Sequence, residues 1–235
     1  MRTVFFMIYL GLYMVVSLIF SIKYKYLGAK GKKEEQDKYL EKLTIRWGKD
    51  MVKSMGCDVE IIGLDNIPEE NVLFVSNHGG NIDIPLCLGY LPKLKGFVAK
   101  IELKKAPIIS TWMTRLGCLF LDRSSIRQSM DMILQGIEML KNGKTLLVFP
   151  EGTRSKCNQV GEFKKGSLQL AVKSGVPVVP ITIENSYKTF EEKNRICPAN
   201  IKITVHKPIY MDSLLPEEKK NLAEIVRGII IAPLQ

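Results

Sequence analysis

Val72-Leu73-Phe74-Val75-Ser76-Asn77-His78-Gly79-Gly80-Asn81-Ile82-Asp83-Ile84-Pro85 is the stretch whose reading decides the fold. Val72 to Val75 form a short unbroken apolar run, the pattern of a strand buried on both faces. Gly79-Gly80 lets the backbone turn sharply and lets another group approach it closely. Asp83, just before Ile84-Pro85, stands at the mouth of a helix, where an acid caps and a proline is tolerated. Strand, turn and helix in this order open an α/β unit. The same turn exposes His78, one of only two histidines in the chain. An aspartate five residues later can hold one imidazole tautomer, and such a pair can take a proton from a hydroxyl near neutral pH. On these residues alone, a plain turn histidine followed by a capping aspartate explains the pattern equally well.

Working outward, apolar runs at Val59–Ile62, Val72–Val75, Phe97–Ala99, Cys118–Leu121, Leu146–Phe149, Val176–Ile183 and Ile201–Val205 read as strands. Helical patterns lie between several of them. The clearest is Ile126, Met130, Ile133, Leu134, Ile137 and Leu140, which steps by three and four and ends at Asn142-Gly143. This alternation predicts an α/β domain with a mixed, largely buried sheet flanked by helices. The polar segment Glu184 to Asn200 reads as a loop.

Upstream of the first strand, Thr3 to Ile22 carry no charge. Twenty helical residues span about 30 Å, the hydrocarbon thickness of a bilayer. A basic and aromatic border follows, Lys23, Tyr24, Lys25, Tyr26, Lys30, Lys32 and Lys33, suited to a cytoplasmic headgroup layer. No small-residue cleavage signal follows the apolar run, which disfavours a signal peptide. From Glu34 to Met55, Tyr39, Leu40, Leu43, Ile45, Trp47, Met51, Val52 and Met55 have rough helical spacing among charges, and Gly56 ends the segment. The reading is a two-helix membrane anchor, hydrophobic then amphipathic, over residues 1–56. A catalytic domain over 57–235 follows, held at the cytoplasmic face of the cell membrane. Crossing the bilayer and entering one leaflet both remain open.

The chain has 235 residues, 46% of them hydrophobic and 8% aromatic, with a formal net charge of +10. The charge favours anionic partners. No nucleic-acid-binding module is recognisable, so a lipid surface and a phosphorylated substrate are expected rather than nucleic acid. Cys57, Cys87, Cys118, Cys157 and Cys197 are odd in number and far apart, with no CxxC pair, which reads as reduced thiols without a disulfide frame or zinc site. Gly143-Lys144-Thr145 imitates the end of a phosphate-binding loop, but it connects helix to strand, the reverse of what that loop needs. His206, inside a strand-like run, reads as structural.

Four blocks carry a resemblance. They are Asn77–Asp83; Ala99-Lys100-Ile101-Glu102-Leu103 with Pro107 and Phe120-Leu121-Asp122-Arg123; Phe149-Pro150-Glu151-Gly152-Thr153-Arg154-Ser155 with Phe163–Gly166; and Val176–Ile181. In this order they resemble the glycerolipid acyltransferase family, and within it the 1-acylglycerol-3-phosphate acyltransferases. Gly79-Gly80 stand where many members carry Ser or Arg. The resemblance implies that His78 is the general base of a His-x4-Asp motif and that Asp83 orients and charges it. It implies that Lys100, Arg123, Glu151, Gly152, Thr153 and Arg154 bind the acceptor, with Lys100 and Arg154 on its phosphate. Backbone N–H groups near Gly79 and Gly80 are the candidate oxyanion donors. The activity implied is acyl transfer to the 2-hydroxyl of lysophosphatidic acid. Acyl-CoA or acyl carrier protein is the donor, and neither cofactor nor metal is needed. Another lysolipid or an ornithine-type lipid as acceptor, and a non-catalytic lipid-binding protein of the same fold, are the rival readings.

Overall fold

Seven strands form one sheet in the order β1-β7-β6-β2-β5-β3-β4. The computed structural model describes residues 1–235, the side chain of Ile126 excepted. Two helices come first, α1 (Arg2–Ala29) and α2 (Lys33–Met55), the second ended by Gly56 in the left-handed conformation. Then follow β1 (Asp58–Ile62), β2 (Leu73–Ser76), α3 (Asp83–Tyr90), β3 (Lys95–Lys100), α4 (Pro107–Arg115), β4 (Leu119–Leu121), α5 (Ile126–Lys141) and β5 (Thr145–Val148). The chain continues through α6 (Lys165–Ser174), β6 (Val178–Glu184), β7 (Asn200–Val205), α7 (Pro216–Lys220) and α8 (Leu222–Ile231). The pairs β6/β2, β2/β5, β5/β3, β3/β4 and β1/β7 are parallel, and β6/β7 is antiparallel. The sheet is mixed, as expected.

Because side chains alternate across a strand, the sheet carries two cores. On one face Phe74, Leu147, Phe97, Ile181 and Ile203 pack against Met51 and Val52 of α2 and Leu86 of α3. On the other, Leu73, Val75, Leu146 and Val148 pack against Ile137 of α5, Leu168 of α6 and Val226 of α8. All seven apolar runs are strands, with shifted ends. The run from Val176 enters the sheet only at Val178, since Pro177 has no N–H and serves the ladder through its carbonyl, which accepts from Leu73 N. β3 starts two residues before the apolar run, at Lys95. That lysine is buried because its Nζ reaches the free carbonyls of Cys87 and Leu91 at the end of α3. Burial pulls its pKa down to about 8. Ile126, the first residue of the α5 pattern, lies outside the described side chains. The expected loop at 184–200 gives its end residues to β6 and β7, and between them contains a short 3-10 turn, Ser186–Thr189.

α1 is long and apolar enough to cross a membrane. It also lies along the body of the protein. Near its start Thr3 Oγ1 accepts from Ile196 N at 3.0 Å, and further along Ser17 and Ser21 accept from Trp112 Nε1 at 3.0 Å and Arg115 Nη2 at 2.6 Å, both on α4. α2 meets α3 closely at a pair of glycines. A Cβ on Gly48 would lie 2.4 Å from both Gly89 N and Pro85 O, which are backbone atoms that cannot swing away. Gly48→Ala therefore has to push the two helices apart. It should lower stability by at least the ~1–3 kcal/mol typical of overpacking, read as a lower denaturant midpoint with unchanged slope.

Candidate functional site

β2 and β5 are parallel neighbours with Val75 opposite Val148, so the chain leaves both at the same edge of the sheet. β3 lies beyond β5 and β6 beyond β2, both parallel, so their exits converge there too. Open α/β sheets place ligands outside these carboxyl ends. Where β2 stops, Asn77 continues the pairing with its side chain. Its Nδ2 donates to Ile183 O and its Oδ1 accepts from Ile183 N, each at 2.8 Å. The next residue is His78.

His78 Nδ1 lies 2.7 Å from Asp83 Oδ2. A carboxylate only accepts, so the ring proton sits on Nδ1 and leaves the Nε2 lone pair free. Asp83, the first residue of α3, is completely buried. Its Oδ2 also accepts from Gly80 N at 2.9 Å, while Oδ1 has no partner among the described residues. The imidazole is stacked on Phe149, with ring centroids 4.1 Å apart and planes at 19°. Its side chain is 18% exposed. One ring nitrogen is thus held and the ring plane is fixed, while an edge remains open to a ligand.

Glu151 braces this turn from β5. Its Oε1 accepts from His78 N at 2.7 Å and its Oε2 from Gly161 N at 2.9 Å, so both oxygens are engaged by backbone. Burial raises its carboxyl pKa, and the N–H groups of Gly161 and His78 act in the opposite direction. Ser155 N closes the same contact, donating to His78 O at 2.8 Å. Gly152 has φ +69° with Lys164 Nζ packed over it, 3.0 Å from where a Cβ would lie. Thr153 is exposed.

A cavity of about 880 Å³ opens over these loops. His78, Lys100, Arg123, Arg154 and Lys164 line it, as do Gly152 and Thr153, and no Asp or Glu is among its described lining residues. The rest of the wall is largely apolar and comes from both sides of the sheet edge, with Tyr13 of α1, Trp47 of α2 and Trp112 of α4 on one side and Met132 of α5 and Leu170 of α6 on the other. A basic group held in place, surrounded by cations and apolar walls, can bind an amphiphile with an anionic head and take a proton from one of its hydroxyls.

The structure brings His78, Asp83, Gly79, Gly80, Lys100, Arg123, Glu151, Gly152, Thr153 and Arg154 to one edge of the sheet. Two contacts went unseen in the sequence. Phe149 opens the third motif block, but its stacking on His78 leaves no mark there. Glu191 lies in the polar stretch after β6, and its carboxylate bonds Arg154 Nη1 at 2.8 Å and Asn81 N at 2.9 Å. Nothing in Glu191-Glu192 singles out a buried acid. Among the described residues, Lys100 makes no ion pair.

Residues 58–184 match the model of the Acyltransferase family. The chain is 35% identical over 172 residues to a chloroplast 1-acyl-sn-glycerol-3-phosphate acyltransferase of Brassica napus, covering 70% of this chain and 50% of that one. It is 32% identical over 184 residues to the 1-acyl-sn-glycerol-3-phosphate acyltransferase of Borreliella burgdorferi, covering 77% and 73%. The chain spans about half the length of several curated relatives it matches. The crystal structure of the 1-acyl-sn-glycerophosphate (LPA) acyltransferase PlsC from Thermotoga maritima superposes with a TM-score of 0.85 at 33% identity, covering 97% of this chain and 91% of that one.

Glu151→Ala would remove the carboxylate partner of the part-buried His78 N–H and of Gly161 N–H, which water can reach. An orphaned buried group costs about 1–3 kcal/mol, so thermal unfolding should fall below that of a surface Glu→Ala control, chiefly through His78. An unchanged melting temperature would mean that water satisfies both groups.

Proposed function

The chain belongs to the acyltransferase family, and from that membership we propose that it moves a fatty acyl group from an acyl thioester to the 2-hydroxyl of lysophosphatidic acid, giving phosphatidic acid. The observation that carries this reading is the His78 Nδ1 contact with buried Asp83 beside a cavity that is cationic at its polar part and apolar elsewhere. The relatives' activity points the same way.

His78 Nε2 takes the proton of the acceptor hydroxyl as its oxygen attacks the thioester carbonyl. Asp83 stabilises the imidazolium that forms. When the tetrahedral intermediate collapses, the carbon–sulfur bond breaks and the imidazolium returns its proton to the departing thiolate. The thioester is already activated, so no cofactor enters. The turn's own N–H groups are the nearest candidates to face the developing oxyanion, although Gly80 N already donates to Asp83. Lys100 and Arg154 take the acceptor's phosphate, Arg154 through the donors of its planar fork that Glu191 does not use. Glu151 acts by holding the His78 backbone in place.

The N-terminal helices bring the site to its substrate. Outward-facing Phe5, Ile8, Leu12, Ile19 and Ile22 on α1 are exposed, whereas Thr3, Ser17 and Ser21 bond the body of the protein. Eighteen residues separate Thr3 from Ser21, about 27 Å of helix. A helix lying against the domain over that length offers lipid one face only, so α1 rests in a single leaflet on the cytoplasmic side, with Lys23 and Lys25 at its headgroup border.

With purified protein, labelled acyl donors and a panel of lysolipids, lysophosphatidic acid should be the acceptor used most efficiently. His78→Ala should reduce turnover by ~10²–10⁴-fold while the protein stays folded. Full transfer by a folded His78→Ala protein would falsify the mechanism. Membrane attachment has its own check. Burial of an apolar face is not screened within the ~8–10 Å reach of salt, so the protein should stay on vesicles when salt is raised and leave them with detergent. Release by high salt alone would mean that only the lysines bind.

A further inference from the structure

The segment after β6 carries no motif, yet it sets two buried polar side chains against the Gly79-Gly80 turn. Glu191, whose side chain is 2% exposed, serves both Asn81 N and Arg154 Nη1 with a single oxygen, Oε1, while Oε2 has no partner. Ser186 is buried with its Oγ unpartnered. A Cβ on Gly80 would lie 2.7 Å from Glu191 Oε2, and one on Gly79 would lie 2.8 Å from Ser186 Oγ. The two glycines are required because this segment fills the space that side chains would occupy. Burying carboxylate oxygen without a partner is unfavourable, and such groups persist where surrounding structure holds them for another purpose.

We infer that Glu191 is a positioning residue for acceptor binding: it aims Arg154 at the phosphate and couples that aim to the turn bearing His78. The inference rests on the acyl-transfer reading above. Arg154 is 34% exposed and lines the cavity, and a free arginine of that exposure samples many rotamers. One bond to Glu191 fixes the guanidinium plane and occupies one of its five N–H donors, leaving the others for a phosphate. The same carboxylate oxygen holds Asn81 N, three residues from His78. Moving Glu191 therefore disturbs the guanidinium and the turn together. An ion pair serving stability alone has no need to join two segments of the site.

The test uses full-length protein in detergent. Steady-state kinetics vary lysophosphatidic acid and acyl-CoA separately, and equilibrium binding of lysophosphatidic acid is measured without donor. Glu191→Ala should raise the acceptor KM and weaken acceptor binding by about ten-fold or more and, through the turn bearing His78, lower kcat by a smaller factor, with the donor KM moved by no more than ~3-fold. Should that variant fail to fold, Glu191→Asp, which keeps the charge but withdraws it by one methylene, carries the same expectation. Glu191→Gln retains an accepting oxygen and should restore most of the loss. Gly80→Ala displaces Glu191 and, lying in the turn whose N–H bonds Asp83, should lower kcat as well; its rise in acceptor KM should nonetheless add little on top of Glu191→Ala, a non-additive cycle in acceptor KM. The inference is overturned by unmoved acceptor KM and binding in Glu191→Ala, by equal losses for both substrates, by an additive cycle, or by a Gln variant as impaired as Ala. A Gln variant binding the acceptor ten-fold tighter also overturns it, since Glu191 would then repel the phosphate. Wild-type protein that neither binds nor acylates lysophosphatidic acid sinks the acyl-transfer reading and this one with it. Wild-type transfer with an unmoved Glu191→Ala sinks this one alone.

Discussion

Parallel pairing of β2 with β5 on one side and β6 on the other is the constraint on which the site depends. Parallel neighbours must all end at the same edge, so the turns after β2, β5 and β6 are forced together although they are far apart in the chain. Asn77 extends this pairing by two side-chain hydrogen bonds just beyond the last β2 residue, and His78 is next. The imidazole is therefore located by a side-chain extension of the sheet's own hydrogen bonding. Glu151 then fixes the turn from the β5 side, and Glu191 from the β6 side.

Three carboxylates within this small region have different tasks because their surroundings differ. Asp83 faces the imidazole and one N–H group. Glu151 faces two backbone N–H groups and touches no cation at hydrogen-bond distance. Glu191 faces a guanidinium. None of the three lines the cavity among its described residues, whose charged lining groups are all cations. The acids thus organise the loops from behind while the cations face the cavity. The negative charges that shape the loops are kept out of its lining, so its charged surface is positive.

The N-terminal helices are part of the same architecture. Gly48 against Gly89 brings α2 into backbone contact with α3, the helix whose first residue is Asp83. α1 in turn rests on α4 through Ser17 and Ser21, and its residues share the cavity wall with those of the sheet edge. The apolar helix thus also lines the cavity over His78, so the packing that holds α1 against the domain builds part of the cavity wall.

Much of this was legible along the chain. Seven apolar runs marked seven strands because a buried strand needs no polar residues, and the 3.6-residue periodicity of α5 marked its packed face. His78, Asp83 and the 149–155 block were legible because chemistry confined to a turn keeps its residues adjacent in sequence. Strand ends were less so: Lys95 begins a strand because carbonyls at the end of α3, four and eight residues before it, satisfy its ammonium, and apolar periodicity does not mark a buried lysine. The stacking of Phe149 on His78 and the part played by Glu191 were invisible, since a stacked ring and a buried acid acquire their meaning from partners 71 and 37 residues away. By itself the sequence determined which segments are strands and helices and which turn pairs a histidine with an aspartate, because those depend on local periodicity and local turn chemistry. Only the tertiary structure decided which turns meet, which carboxylate holds which cation, and that the apolar helix lies along the domain, because these depend on sheet order and on contacts between residues far apart in the chain.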